Sequence, residues 1–205
     1  MKNDTVTISI SGSGGSGTVT TGLILLKSIG NAGFYGYMSR SSGPQIRGGE
    51  SAVILSFSDH PIEGNTDSID FHFALDWRGF ERFSDEIPLN SESCIIFDNS
   101  HDKLPDIVAK TGAKTIEVNL KEQVKQIKGS RPNAFAIGII AAQIGLPLDS
   151  VSKAIHQTLN KKGKELVENT LNAIKVGYSL LGDKSSLLTN WQSSFQPRWN
   201  ISGNE

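Results

Sequence analysis

Cysteine is almost absent from this chain, since Cys94 is the only one among 205 residues. One cysteine excludes an internal disulfide framework, a CxxC redox pair and any cysteine-ligated zinc or iron–sulfur site that this chain builds alone. Long apolar runs are lacking too. The longest runs, at residues 23–26 and 134–144, are too short to span a bilayer. The opening residues MKNDTVTIS have no apolar core of a secretory signal. We therefore expect a cytoplasmic protein without a membrane partner.

Excess charge is also lacking. The formal net charge is −1, which gives no electrostatic reason to expect nucleic acid or an anionic membrane as a partner. Hydrophobic residues make up 37% and charged residues 20%, the balance of an ordinary globular protein. The length suffices for one domain with a proper core, or two small ones at most.

The hydrophobic pattern changes from strands to helices along the chain. Val6, Ile8 and Ile10 alternate with Thr5, Thr7 and Ser9, which predicts a half-buried strand. We predict further strands at 34–40, 51–59, 68–76, 93–100 and 114–120.

Three helices are predicted in the last third of the chain. One begins after Pro132 and stops at Gly145, a second is capped by Asp149, and a third covers 164–181. Strands with interspersed helices followed by a helical run predict an α/β fold, a three-layer α/β/α arrangement with a mostly parallel or mixed, Rossmann-like sheet and a helical C-terminal portion.

A glycine-rich turn, GSGGSG, follows the first strand and precedes an apolar helix. Gly12, Gly14 and Gly17 match the GxGxxG spacing, and such a turn brings bare backbone N–H groups to a helix N-terminus, where they hold an anion. A dinucleotide site also needs an acidic residue about 20 positions on, to bind the ribose. No Asp or Glu lies between Thr5 and Gly49, and Ser39 and Arg40 stand in that place.

Three interpretations of this turn stay open. Arg40 could contact the 2′-phosphate of NADP, the glycines could serve only tight packing, or the turn could bind another phosphate. The second loop, SRSSGPQIRGGES at 39–51, is polar and basic and should lie at the same sheet edge. Its Arg47, followed by Gly48 and Gly49, could grip a carboxylate or phosphate, although a solvated surface loop has the same composition.

Five motifs in order carry a resemblance to a known family. They are GSGGSG, PQIRGGES, FSDHPI, RPNAFAIGIIAAQIGLP and KGKELVENTLNAIKVGY. Over about 6–182 the chain resembles the gamma domain of the thiamine-diphosphate-dependent 2-oxoacid:ferredoxin oxidoreductases, which act on pyruvate, 2-oxoglutarate and related 2-oxoacids. One departure stands out: Ser16 replaces the glutamine that the family usually carries after Gly14 and Gly15, so that glutamine's role is not carried over.

The end of the chain adds to the resemblance. RWNISGNE is similar to the start of the alpha domain in relatives that fuse gamma and alpha domains. We therefore expect a gamma-type domain at 1–182 and, at 183–205, a linker that leads to an alpha domain. The tail also holds Trp191, Phe195 and Trp199, which we expect to dock on a surface.

The resemblance implies a function within a complex. The complex would decarboxylate a 2-oxoacid oxidatively on thiamine diphosphate with Mg²⁺, pass electrons through an iron–sulfur cluster to ferredoxin, and pass the acyl group to coenzyme A. This chain would bind none of the resident cofactors alone, and its partners would be the alpha domain and the beta subunit. It would help to form the coenzyme A and substrate site through the two loops, with these residues: Gly12, Gly14, Gly15, Gly17, Gln45, Arg47, Gly48 and Gly49.

Candidates for catalysis by the chain itself are few, and no metal site is predicted. His60, His72, His101 and His156 have no ligand spacing, and His72 is expected in the core or on the sheet surface. Asp59 and Asp70 flank strands in turn or cap positions, and Cys94 is expected to be a buried small hydrophobe.

We therefore expect the isolated chain to be inactive. The alternatives are a stand-alone NADP-like binding module and a non-catalytic assembly domain.

Overall fold

The computed structural model describes residues 5–42, 49–62, 64, 67–82, 84–100, 102–182 and 201–202. These residues form seven strands: β1 (Val6–Ser13), β2 (Tyr35–Ser42), β3 (Glu50–Ser58), β4 (Phe71–Ala74), β5 (Cys94–Asp98), β6 (Lys114–Val118) and β7 (Ile201–Ser202). They also form six α-helices: α1 (Thr18–Asn31), α2 (Asp106–Ala109), α3 (Leu120–Gln126), α4 (Pro132–Ile144), α5 (Leu148–Leu159) and α6 (Lys164–Leu180). Within this part of the chain, no helix is both long and apolar enough to span a membrane.

The strands form one mixed sheet in the order β6-β5-β4-β1-β3-β2-β7. Strands β1, β4, β5 and β6 run parallel, whereas β3 is antiparallel to both of its neighbours, β1 and β2. The chain leaves β1 toward one side of the sheet through α1 and later enters β4 on the other side of β1. The carboxyl ends of β1 and β4 therefore flank a topological switch point, where ligands bind in open α/β sheets.

Three layers are present, as the sequence predicts. The main core lies between one face of the sheet and helices α1, α4, α5 and α6. The second core cluster, on the other face, is covered by short elements: the 3-10 turns Phe80–Arg82 and Ser84–Glu86, and α2. The α/β fold with a mixed sheet and a helical C-terminal portion is confirmed, with a thin second layer.

Strand β1 differs from its prediction because it is buried on both faces. Its polar positions Thr7, Ser9 and Ser11 are as inaccessible as its apolar ones. A polar face survives burial only when its hydrogen bonds are satisfied within the protein. The alternation of polar and apolar residues therefore marks a buried polar face here, and not a face in contact with water.

Both neighbouring strands satisfy this face, since Thr7 Oγ1 lies 2.9 Å from Ser56 Oγ of β3 and the serine hydroxyls meet His72 of β4. The Thr7 backbone N–H donates to Asp70 Oδ2 at 2.7 Å. Ser9 Oγ lies 2.7 Å from Nδ1 of His72, and Ser11 Oγ lies 3.1 Å from Nε2 of the same ring. We call these contacts, with that of Ser13 described below, the β1–β4 polar ladder. Asp70 therefore anchors β1, and His72 is a hydrogen-bonded core residue as predicted.

His72 is held neutral by its surroundings. It is fully buried and packs against the rings of Trp77 and Phe80, with ring centroids 5.6 Å and 5.5 Å away. Burial lowers the pKa of His72 from 6.5 to about 3. A neutral imidazole has one donor and one acceptor nitrogen, and serine hydroxyls fit either role, so both contacts are satisfied.

The helical layer depends on a close contact between α4 and α6. Almost every residue of α4 is buried, so this helix lies within the core. A Cβ atom at Gly138 would clash with the Ile174 carbonyl oxygen, and one at Gly177 would clash with that of Phe135. The two glycines let the two backbones touch.

One cap prediction is wrong. Helix α5 begins at Leu148 behind Pro147, and no side chain caps it. Asp149 lies within the first turn, where its Oδ2 is 2.9 Å from Nζ of Lys153. Pro147 takes the N-cap position, so Asp149 lies two residues past the cap and forms an exposed i,i+4 pair.

We expect Gly138→Ala to destabilise the protein by about 2 kcal/mol or more, because the added methyl group overpacks the α4–α6 contact. This loss would occur although alanine is intrinsically the better helix former. Urea denaturation of the full chain measures the effect. The matched control is Gly182→Ala, since a Cβ atom at Gly182 meets nothing within 4 Å. Equal midpoints for the two variants would contradict the close contact.

We also expect stability to fall as the pH drops from 6.5 toward 3, because of His72. The unfolded chain binds this proton below about pH 6.5, whereas the folded chain binds it only near pH 3. Acidification therefore favours unfolding by up to about 1.4 kcal/mol per pH unit within that window. Urea denaturation at several pH values should show a flatter slope for His72→Gln than for the wild type. The exposed His156, changed to glutamine, should leave the slope as it is.

Candidate functional site

The glycine turn connects β1 to α1, and three of its glycines are required by geometry. Gly15 and Gly17 have φ values of 93° and 95°, a left-handed conformation that only glycine adopts at low cost. A Cβ atom at Gly12 would lie 2.6 Å from Ser16 Oγ. Gly14 is fixed differently, because its N–H donates to the carbonyl oxygen of Gly49. The turn therefore has one defined shape.

The contact with Gly49 joins the two predicted loops. Gly49 is the last residue of the connection between β2 and β3, and Ser51, two residues later, pairs with Gly12 of β1. The second loop thus ends at the glycine turn, at the same sheet edge, as predicted. Gln45, Arg47 and Gly48 lie outside the described residues.

The start of α1 leaves its first backbone N–H groups without a side-chain cap. Gly17 occupies the N-cap position and provides no side-chain cap, and the first turn contains no acidic residue. Within the described residues, the N–H groups of Thr18, Val19 and Thr20 meet no acceptor, and the first intrahelical bond runs from Thr21 to Gly17. Unpaired N–H groups at the positive end of a helix dipole attract anions.

A cleft of about 800 Å³ opens in front of this helix start, outside the carboxyl ends of β1, β4 and β5. Residues 13–20 form its floor, and the first turn of α4 and the first two turns of α6 form its walls. Asn133, in the first turn of α4, packs against Gly17 at the start of α1, so the two helix starts are in contact. The N-termini of α1 and α4 therefore face the same space.

Three basic side chains line the cleft. Arg78 follows β4, Arg131 precedes α4, and Lys162 precedes α6. Since α4 has no side-chain cap, the positive end of its dipole adds to these charges.

Apolar side chains line the same cleft. They are Val19 and Ile24 of α1, Ile137 of α4, Leu159 of α5 and Leu166 of α6. A pocket with both charged and apolar lining fits a ligand that joins an anion to a hydrophobic group.

Two carboxylates also line the cleft, and both are occupied with backbone contacts. Asp76 accepts from the Ser13 N–H at 3.0 Å and from Ser13 Oγ at 2.8 Å. Asp98 accepts from the N–H of Leu120 at 3.1 Å and from that of Ser100 at 3.0 Å. Both oxygens of Asp76 and Oδ1 of Asp98 thus hold the ends of neighbouring strands and loops. Among the described residues, no group of three acidic, histidine or cysteine side chains is placed to hold a metal ion.

Sequence reasoning found only the loop half of the cleft. Gly14, Gly15 and Gly17 line it, Gly12 lies beneath the turn, and Gly49 braces it from the side. The sequence did not predict the basic residues of the cleft. One pattern could have indicated Arg131, because an arginine there directly precedes the proline that starts a helix. No sequence pattern marked Lys162, which reaches the cleft only through the packing of α6.

Arg40 does not belong to this cleft. It lines a separate pocket of about 280 Å³ together with Ser39 and Glu86. Strand β3 lies between β1 and β2, so the end of β2 is two strand spacings, about 10 Å, from the glycine turn. In a dinucleotide fold the second strand is the direct neighbour of the first, which brings its ribose-binding residue close. The inserted strand disfavours that arrangement.

The remaining polar candidates lie outside the cleft. His60 forms an exposed pair with Asp59, with Nδ1 3.0 Å from Oδ1. Cys94 is half-buried, and burial raises the pKa of its thiol against the opposing charge of Lys114. A thiol with a raised pKa is a poor nucleophile at neutral pH. His101 lies outside the described residues, as do Trp191, Phe195 and Trp199.

Comparisons with known proteins agree with this architecture. One curated relative is a 2-oxoglutarate synthase subunit KorC of Archaeoglobus fulgidus, 25% identical over 176 residues, which are 85% of this chain and 87% of the relative.

Among solved structures, a 2-oxoglutarate:ferredoxin oxidoreductase of Magnetococcus marinus, with 2-oxoglutarate, coenzyme A and succinyl-CoA bound, is similar with a TM-score of 0.78 at 20% identity. That match covers 96% of this chain but only 34% of the other, so this chain spans about a third of its length.

Two shorter structures match over most of their length. The gamma subunit of a keto/oxoacid ferredoxin oxidoreductase from Geobacter sulfurreducens has a TM-score of 0.68 at 23% identity, covering 85% of this chain and 94% of that one. The pyruvate oxidoreductase subunit PORC of Thermotoga maritima has a TM-score of 0.65 at 18% identity, covering 86% and 96%.

The model of the pyruvate ferredoxin/flavodoxin oxidoreductase family matches residues 7–180, which include both the glycine turn and the helical layer. The chain therefore belongs to the pyruvate ferredoxin/flavodoxin oxidoreductase family.

Proposed function

We propose that this chain is the gamma component of a thiamine-diphosphate-dependent 2-oxoacid:ferredoxin oxidoreductase, and that its cleft holds an anionic part of coenzyme A. The observation that carries the proposal is the uncapped start of α1, which faces Arg131 and Lys162 across one cleft at the switch point of the sheet. Backbone N–H groups and guanidinium groups are the usual ligands of phosphate in proteins.

Coenzyme A suits both the charged and the apolar lining of this cleft. Its diphosphate and 3′-phosphate are anions, and its adenine ring and pantetheine arm carry apolar surface. The phosphates would meet the α1 start and the basic side chains, while apolar atoms would lie along Ile137 and Leu159. The Magnetococcus relative, whose structure contains coenzyme A, supports this choice of ligand.

The resident cofactors of such a complex do not fit this chain. The sequence contains no acidic Gly-Asp-Gly stretch of the kind that would hold thiamine diphosphate with its Mg²⁺. An iron–sulfur cluster needs several cysteines, and the sequence has only Cys94. We therefore assign these groups to the alpha domain, fused or separate, and to the beta subunit, with ferredoxin as the electron acceptor of the whole complex.

The chemistry left to this chain is binding. The complex would release CO₂ from the 2-oxoacid, send two electrons to ferredoxin and transfer the acyl group to the thiol of coenzyme A. We assign Asp76 and Asp98, the two acids of the cleft, to holding its backbone, because both accept backbone N–H groups. Interactions that are equal in ground state and transition state change KM and not kcat. The cleft should therefore set the KM for coenzyme A.

2-Oxoglutarate is our first choice of substrate. The Archaeoglobus and Magnetococcus relatives are named for 2-oxoglutarate, whereas the Thermotoga relative is named for pyruvate. Arg47, in the connection between β2 and β3, stays a predicted contact for the substrate carboxylate or for a phosphate of coenzyme A, with Gln45, Gly48 and Gly49 around it.

We expect a native pull-down with this chain as bait to bring down a brown complex that contains thiamine diphosphate. That complex should reduce viologen when 2-oxoglutarate and coenzyme A are both present, and more slowly with pyruvate. The isolated chain is the control and should be colourless and inactive. An isolated chain that bound NADP and recovered no partner would support the stand-alone module and contradict the proposal.

We expect Arg131→Ala and Lys162→Ala each to raise the KM for coenzyme A about tenfold in the complex, because each removes a charged hydrogen bond to phosphate. The kcat and the KM for the 2-oxoacid should change less than about twofold. Steady-state viologen reduction with varied coenzyme A measures these constants. Lys153→Ala is the matched control, because this lysine is exposed on α5 and pairs with Asp149 outside the cleft. A KM for coenzyme A like that of the control would show that the cleft does not hold this ligand.

A further inference from the structure

Asp76 makes a set of contacts that differs from those of the other acids near the sheet. Both of its carboxylate oxygens lie 3.0 Å from the Ser13 backbone nitrogen, and Oδ2 also accepts from Ser13 Oγ at 2.8 Å. Its Oδ1 accepts from the N–H of Arg78 at 3.1 Å. One side chain thus binds the last residue of β1 to the segment that follows β4.

Ser13 is the point at which the strand becomes the glycine turn. Contacts within the described part of the turn join Gly14 N–H to Gly49 O, Ser16 N–H to Ser13 O at 3.0 Å, and Ser16 Oγ to Thr18 Oγ1 at 2.8 Å. Glycines lose more conformational freedom on ordering than other residues do. A turn fixed before the ligand arrives avoids that cost at the moment of binding.

The charge of Asp76 opposes the proposed ligand. Its side chain is half-buried and lines the same cleft as Arg78, Arg131 and Lys162. On electrostatic grounds alone, a carboxylate in this cleft weakens the binding of an anion. For Asp76 to favour binding, its contribution to the shape of the site must therefore exceed this repulsion.

We propose that Asp76 is a positioning residue: by holding the N–H and hydroxyl of Ser13, it fixes the glycine turn in the shape that presents the α1 N–H groups to an anionic ligand. This inference rests on the proposed function of the cleft. The carboxylate favours ligand binding through its contacts with Ser13 and opposes binding through its negative charge. Replacing it by a neutral amide would weaken those contacts, which raises the KM for coenzyme A, and would also remove the repulsion, which lowers that KM. The direction of the change in KM therefore tests the proposal.

The test uses the assembled oxidoreductase complex and coenzyme A as the probe. Asp76→Asn should raise the KM for coenzyme A by about fivefold or more, because an amide cannot accept all the Ser13 and Arg78 donors. The kcat and the KM for the 2-oxoacid should stay within about twofold. Asp76→Glu keeps the charge but moves the carboxylate, and it should behave like the asparagine variant. An unchanged or lower KM for coenzyme A in Asp76→Asn overturns the proposal.

Asp70→Asn is the matched structural control. Asp70 accepts a β1 backbone N–H in the same way, from Thr7, but at the opposite end of the strand. We expect this variant to lower the unfolding temperature without a change in the KM for coenzyme A. If both variants lower stability and neither changes that KM, Asp76 has a structural role only.

Two further results separate the possible failures. If Asp76→Asn does not fold, Ser13→Ala removes only the hydroxyl contact with Asp76 and should raise the KM for coenzyme A by a smaller factor. No rise in that KM would reject the proposal.

Should Arg131→Ala and Lys162→Ala leave the KM for coenzyme A unchanged, the proposed function of the cleft itself is wrong. Raised values for those two variants together with a wild-type value for Asp76→Asn would reject the positioning role alone.

Discussion

The β1–β4 polar ladder is the interaction on which the rest of the structure depends. Strand β1 lies at the centre of the sheet, and its buried hydroxyls bond to His72 of β4, with Asp70 and Asp76 at its two ends. A one-residue slip between the two strands would leave these groups unpaired inside the protein, at a cost of several kcal/mol. The ladder therefore fixes the register, and the register fixes where the glycine turn lies relative to the end of β4.

The inserted strand β3 decides which ligand the turn can serve. It separates the end of β2 from the glycine turn, so the ribose contact of a dinucleotide site has no neighbour to supply it. In the same place the helical layer contributes the start of α4 with Arg131 and the region of Lys162 before α6. The close α4–α6 contact at Gly138 and Gly177 holds this half of the cleft in position. A turn with a nucleotide-like spacing thus becomes part of a broader anion cleft.

The charged side chains of the cleft differ in how they are held. Arg131 and Lys162 are among the basic residues that line it, whereas Asp76 and Oδ1 of Asp98 accept backbone N–H groups. This difference fits the proposal that the chain binds a ligand while partner subunits carry the reactive cofactors.

The sequence by itself determined the strand and helix order, the glycine turn and the family, because these follow from local periodicity, backbone sterics and motif order. Predicted and observed bounds of β2, β3, α4 and α6 differ by one or two residues. Tertiary structure alone decided that the polar face of β1 is buried, that β3 separates β1 from β2, and that Arg131, Lys162 and Asp76 meet at one cleft. Those features depend on which distant segments pack together, and hydrogen bonds across 63 residues, such as that between Ser13 and Asp76, leave no local pattern in the sequence.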